Sequence, residues 1–113
     1  MLGERVMSKM TIQIESFSPH CKNTLRGFAA IKIAELHLII NEVGIHTKNG
    51  KTWAQPPMRP WVKDGSVVSG DDGKPKYFPV LEFDSVPVRD AFSVAVVRAL
   101  LEFDPHALDR GAA

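Results

Sequence analysis

At 113 residues and 44% hydrophobic composition, the chain has room for one domain with a small core, and it is neither collagen-like nor compositionally disordered. No apolar run approaches the ~18 residues of a membrane span, the lone Cys21 cannot close an internal disulfide, and Met1 to Met10 has no export signal, so a cytoplasmic protein is expected. The net charge of +1 conceals a segregation: Lys22 to Lys63 holds seven basic residues against two acidic, and Asp64 onward five against nine, the pattern of a local anion-binding patch.

Met10, Ile12 and Ile14 alternate with Thr11, Gln13 and Glu15, which predicts a half-buried strand. Ser18 to Asn23 is rich in turn formers and reads as a loop. A second strand follows, with Leu25, Gly27, Ala29, Ile31 and Ile33 on one face and Arg26, Phe28 and Lys32 on the other. Leu36 to Ile45 is the third strand, but its apolar residues change parity, from Leu36, Leu38 and Ile40 to Val43 and Ile45. One extra residue near Asn41-Glu42, a β-bulge, reconciles the two halves.

Asn49-Gly50 fits a two-residue type I′ turn, because both central residues need positive φ, which Gly reaches freely and Asn tolerates. Counting outward from that turn sets Lys48 opposite Lys51, Thr47 opposite Thr52, His46 opposite Trp53 and Ile45 opposite Ala54. One face then carries Lys48, Lys51, His46 and Trp53, and the other carries Ile45, Ala54 and Val43 toward a core. The fourth strand ends near Gln55, before Pro56-Pro57. Trp61 to Lys76, with its Asp64-Gly65 and Gly70-Asp71-Asp72-Gly73, reads as a long connection, either an ordered lid or a loose loop.

Tyr77 to Phe83 returns to strand, and Asp84 or Ser85 can cap a helix that tolerates Pro87 in its first turn. Val88, Phe92, Val96, Ala99, Leu100 and Phe103 form one stripe on that helix. Val94, Val97 and Leu101 form a second. One sheet covers one stripe, so the second predicts a homodimer with helices meeting across a twofold axis. The expected fold is α+β: a twisted antiparallel sheet of about five strands with one C-terminal helix, dimeric. The domain spans 10–104, between a flexible tail at 1–9 and a second tail at 105–113.

Catalytic and metal motifs are missing. His20, His37, His46 and His106 lack metal-ligand spacing, and no second cysteine exists to join Cys21. Gly65 and Gly70 have the gap of a phosphate loop, but Asp71 stands where Lys would be needed. Asp71-Asp72 lacks the alternation of a calcium loop, and there is no Gly-x-Ser-x-Gly elbow. No enzyme activity, metal or cofactor is therefore expected. Cations beside exposed rings suit a polyanion with stackable bases instead: Lys and Arg neutralise phosphates, and a base stacked on Trp or Phe contributes about 1–3 kcal/mol. The candidate nucleic-acid-binding residues are Arg26, Phe28, Lys32, His46, Lys48, Lys51, Trp53 and Arg59, with DNA or RNA as partner. The alternative is a homodimeric protein-interaction module that uses the helix and the segment Gln55 to Trp61.

Leu25-Arg26-Gly27-Phe28-Ala29, the strand to Ile45-His46, then Lys48-Asn49-Gly50 and Trp53-Ala54-Gln55-Pro56 running on to Arg59, together resemble the SpoVG family of bacterial proteins. The resemblance covers about Met10 to Phe103. It implies a small dimeric α+β regulator that binds DNA or RNA, with Arg59 as the basic residue after the proline. Gln55 stands where the family has methionine, and Arg59 alone where it often has two or more basic residues. Val80-Leu81-Glu82-Phe83 and a helix carrying Phe92 are also similar to the transcriptional coactivator family that binds single-stranded DNA as a dimer through curved sheets.

Overall fold

The computed structural model describes residues 10–109; the tail expected at 1–9 and the last four residues of the one expected at 105–113 lie outside them. Four strands, β1 (Ile12–Lys22), β2 (Leu25–Ile33), β3 (Leu38–Lys48) and β4 (Lys51–Gln55), form one antiparallel sheet in the order β1-β2-β3-β4. One helix, α1 (Val86–Phe103), covers one face of it. Between β4 and α1, β5 (Met58–Pro60) pairs with β8 (Tyr77–Pro79), and β6 (Val62–Lys63) pairs with β7 (Ser66–Val67). The fold is α+β as expected, but among the described residues its strands number eight in three sheets rather than about five in one.

Periodicity accounts for the core. Ala29, Ile31 and Ile33 from β2, Ile40, Val43 and Ile45 from β3, and Ala54 from β4 are buried against Phe92, Val96 and Leu100 of α1. Ile40 and Val43 both reach this core because the ladder steps from Ala29↔Val43 to Ile31↔Ile40, leaving Asn41 and Glu42 opposite Ala30 alone. Glu42 takes a φ of 60° there, and the bulge lies where the change of parity placed it. Ser85 caps α1 by accepting from the Val88 amide, with Pro87 in the first turn. Ser93 then reaches the sheet's edge, its Oγ accepting from the Ala54 amide at 2.9 Å; this occupies a backbone donor that an edge strand leaves free.

The expected elements differ from the structure in several places. Ser18 to Lys22 is not a loop but the end of β1, which turns at Asn23-Thr24. β1 is an edge strand, the place in a sheet where proline is tolerated. Leu25 pairs with His46 rather than continuing the buried row of Gly27 and Ala29, because the ladder slips between Leu25 and Gly27. Trp61 to Lys76 is an ordered, doubly hairpinned arm, and the strand expected at Tyr77 to Phe83 is cut to Tyr77–Pro79. Phe103, expected in the helix stripe, is 54% exposed. The chain turns after Asp104, whose carboxylate accepts from the His106 amide at 3.0 Å, and Ala107 joins the core; residues 105–109 are therefore part of the packed unit.

The arm is held by its backbone. The Trp61 amide donates to the Lys76 carbonyl at 2.8 Å, Val68 to Trp61 at 2.7 Å and Lys76 to Val68 at 2.8 Å. Asp64-Gly65 turns with φ of 53° and 79°, much as Asn49-Gly50 does with 53° and 78°. No residue from Met58 to Val80 is buried, so no core of its own supports this ribbon. The radius of gyration, 15.3 Å, exceeds the ~13 Å of a compact domain of 100 residues, as a projecting arm requires.

Candidate functional site

With α1 on one face, the other face of the sheet is free of helix, and the register lays its side chains out in rows. Ser18, Phe28, Gly44 and Gln55 are successive partners across β1 to β4. Toward the hairpin tip the next row is Leu25, His46 and Trp53, followed by Lys48 and Lys51 flanking the turn. The hairpin register is the one that Asn49-Gly50 implies, pair for pair.

Two ring pairs stand on this face. His46 and Trp53 stack with centroids 5.5 Å apart and planes 8° apart, and His20 and Phe28 with centroids 6.1 Å apart and planes 29° apart. Trp53 is half-buried on the open side and lies outside the set of residues packed on the core. The His46 ring is fixed at two points: Nδ1 lies 2.9 Å from Thr24 Oγ1, and a side chain at Gly44 would meet Nε2 at 3.1 Å. Gly44 therefore leaves the space in which the imidazole lies, the close approach that a glycine inside a strand often marks.

Partial burial, and then the Arg26 guanidinium, hold the His46 pKa below its ordinary 6.5. The folded state thus prefers neutral imidazole, whereas the unfolded chain takes up a proton near the ordinary value. Stability contributed by His46 is complete above pH 6.5 and falls as pH drops through the depressed folded value, because the unfolded state then binds more protons. Thermal melts from pH 8 down to pH 5 are expected to show this loss in the native protein and a smaller one in His46→Gln; equal losses would contradict it.

The structure gathers some expected site residues and separates others. His46, Lys48, Lys51, Trp53 and Phe28 share the open face. Arg26 sits at the slip in the ladder, where its Nη1 donates to the carbonyls of Asn23 at 2.9 Å and Leu25 at 3.0 Å, so part of its guanidinium closes the β1–β2 turn. Lys32 is on the same face, four residues beyond Phe28 and between Gln13 and Ile39, about 13 Å along the strand at 3.3 Å per residue. Arg59 is not on this sheet; it lies on the arm, paired with Phe78. On α1, Val94 and Leu101 are exposed, but Val97 packs against the core, so the second helix stripe leaves two of its three residues uncovered.

His20 had no sequence signal as a stacking partner, because the segment around it reads as a turn and its pairing with Phe28 depends on β1 continuing past Pro19. Among the described residues no cluster of His, Cys, Asp and Glu could hold a metal ion, and no helix is long and apolar enough to cross a membrane. No protein-family model matches the chain, and no curated protein or solved structure matches it either.

Proposed function

We propose that the protein is a non-enzymatic, homodimeric regulator that binds nucleic acid on the open face of its sheet. The observation that carries this reading is Trp53, held flat against His46 on the helix-free face with Lys48 and Lys51 one step away. The ring offers a base a stacking surface, and the ammonium groups neutralise flanking phosphates. A single strand, whose bases are already unstacked, is the ligand this arrangement suits best. The resemblance of Leu25 to Arg59 to the SpoVG family leads to the same ligand class and to a cytoplasmic regulator. Val94 and Leu101 supply the apolar helix surface through which two copies would meet.

Titration of labelled single- and double-stranded DNA at two salt concentrations tests the reading. Affinity is expected to fall with salt, and Lys48→Gln/Lys51→Gln to make that slope shallower by about 0.7 per lost phosphate contact on a single strand. Light scattering on the same samples is expected to give about twice 12.5 kDa. No binding at low salt would refute the proposal. A second reading, a protein-interaction module, draws on the exposed Trp61, Tyr77 and Phe78 of the arm; its mark would be salt-insensitive association with a protein, indifferent to Lys48 and Lys51.

A further inference from the structure

Apart from the open face, the described residues form an open cleft of about 680 Å3 where the arm approaches the β1–β2 turn, with Lys22, Gly70, Asp72, Lys74, Lys76 and Tyr77 in its lining. Three lysines line it against one aspartate. Among the described residues none of the three is in an ion pair, and Asp72 is turned to local use, its Oδ1 accepting from the Lys74 amide at 3.0 Å. The carboxylate thus helps to shape the turn, and no carboxylate among the described residues pairs with the cations.

The arm positions Lys76 and Asp72. Lys76 Nζ lies 5.7 Å from the Trp61 ring centroid, within the range of a cation–π contact. Its Cε passes 3.7 Å from where a Cβ on Gly70 would sit, an ordinary contact, and Asp72 Oδ1 is 3.2 Å from the same point; a side chain at Gly70 would press on that carboxylate. The Gly70 amide donates to the Lys74 carbonyl at 2.8 Å, and Gly73 to Gly70 at 3.0 Å, which closes a tight turn that carries Lys74 at its end. Tyr77 is 56% exposed.

The geometry points to a second anion site, one that takes a nucleotide: phosphate between Lys22, Lys74 and Lys76, with the base against Tyr77. Cations without carboxylate partners, grouped around one concavity, are the electrostatic requirement for phosphate, and an adjacent exposed aromatic adds the stacking surface that selects a nucleotide over inorganic phosphate. The site adjoins the proposed interface, because the Thr47 amide near the hairpin tip donates to the Thr24 carbonyl of the β1–β2 turn at 2.9 Å. The nucleotide can thus belong to a bound strand, in which case the site rests on the reading above, or be free.

Calorimetric titration of the full chain at low salt with thymidine monophosphate, inorganic phosphate and an oligothymidylate separates these cases. The monophosphate is expected to bind more tightly than phosphate, and to lose at least tenfold in affinity in Lys74→Glu/Lys76→Glu and in Lys22→Glu, a change outside the arm that leaves the Lys76–Trp61 contact alone. Tyr77→Ser is expected to weaken the monophosphate and not phosphate. A matching loss for the oligothymidylate identifies a strand as the source, and loss for the monophosphate alone identifies a free nucleotide. No monophosphate binding, or binding indifferent to all three lysines, overturns the inference. Monophosphate binding in a protein that ignores the oligothymidylate would sink the sheet-face reading and leave the cleft standing.

Discussion

Phe92→Ala is expected to lower the stability of the fold by about 3–5 kcal/mol. Phe92 is fully buried, its ring 5.0 Å from that of Phe83, between Val96 and Leu100 of α1 and the β-branched residues of β2 and β3. Deleting the ring removes the transfer free energy of a large apolar side chain and leaves a cavity that two strands and a helix cannot close without distorting the sheet. A domain of this size has about 5–15 kcal/mol in total, so the variant is expected to sit near the edge of folding. Urea denaturation followed by circular dichroism reads the effect as a lower midpoint at unchanged m-value. Phe103→Ala is the control: the same truncation on the same helix, at a side chain 54% exposed, is expected to cost far less. Equal losses at the two positions would mean that α1 does not pack as described.

That contrast also marks how far the sequence alone can be read. Phe92 and Phe103 belong to one helical stripe, and periodicity cannot tell them apart; what separates them is that the chain turns at Asp104 and Ala107, not Phe103, fills the end of the core. The bulge at Asn41-Glu42 was legible because a change of apolar parity in a strand has few other remedies. The slip beside Leu25 was not, since Leu25 is apolar in either parity and the shift moves it to the open face without leaving a polar residue buried. Proline misled at position 19 for a related reason. Its meaning depends on whether β1 is an edge strand, a property of the whole sheet rather than of the local residues. The arm's hairpins use turn residues that a loose loop would also use, so the choice between order and looseness lay in backbone hydrogen bonds that composition does not encode.

The candidate site was most legible where its geometry is local. Asn49-Gly50 fixes the hairpin register, and the register alone sets His46 beside Trp53 and both near the two lysines. Whether those rings meet solvent depends on where the helix docks. α1 lies on the Ile45 and Ala54 side, which leaves Trp53 on the open face. Arg59 shows the opposite case: nothing near Pro56-Pro57 says that the chain leaves the sheet there and carries the arginine onto a separate ribbon.

Trp53→Ala is therefore expected to have the largest effect on the proposed nucleic-acid binding, weakening a single strand by about 1–3 kcal/mol, or roughly 5- to 150-fold. Trp53 is neutral, so its removal is expected to shift affinity at every salt concentration and leave the slope unchanged. Lys48→Gln/Lys51→Gln is expected to do the reverse, flattening the slope while the stacking contribution persists. Trp53→Phe, which keeps a smaller ring beside His46, is expected to recover part of the loss, whereas a purely structural role would track the melting temperature instead. Trp53 lies outside the core, so Trp53→Ala is expected to melt close to the native protein. Fluorescence anisotropy with a labelled oligothymidylate at low and moderate salt, beside thermal melts of all three variants, makes the comparison. If Trp53→Ala binds as the native protein does, Trp53 is not the ring on which a base stacks, and Phe28 and the lysines would be left to hold the ligand.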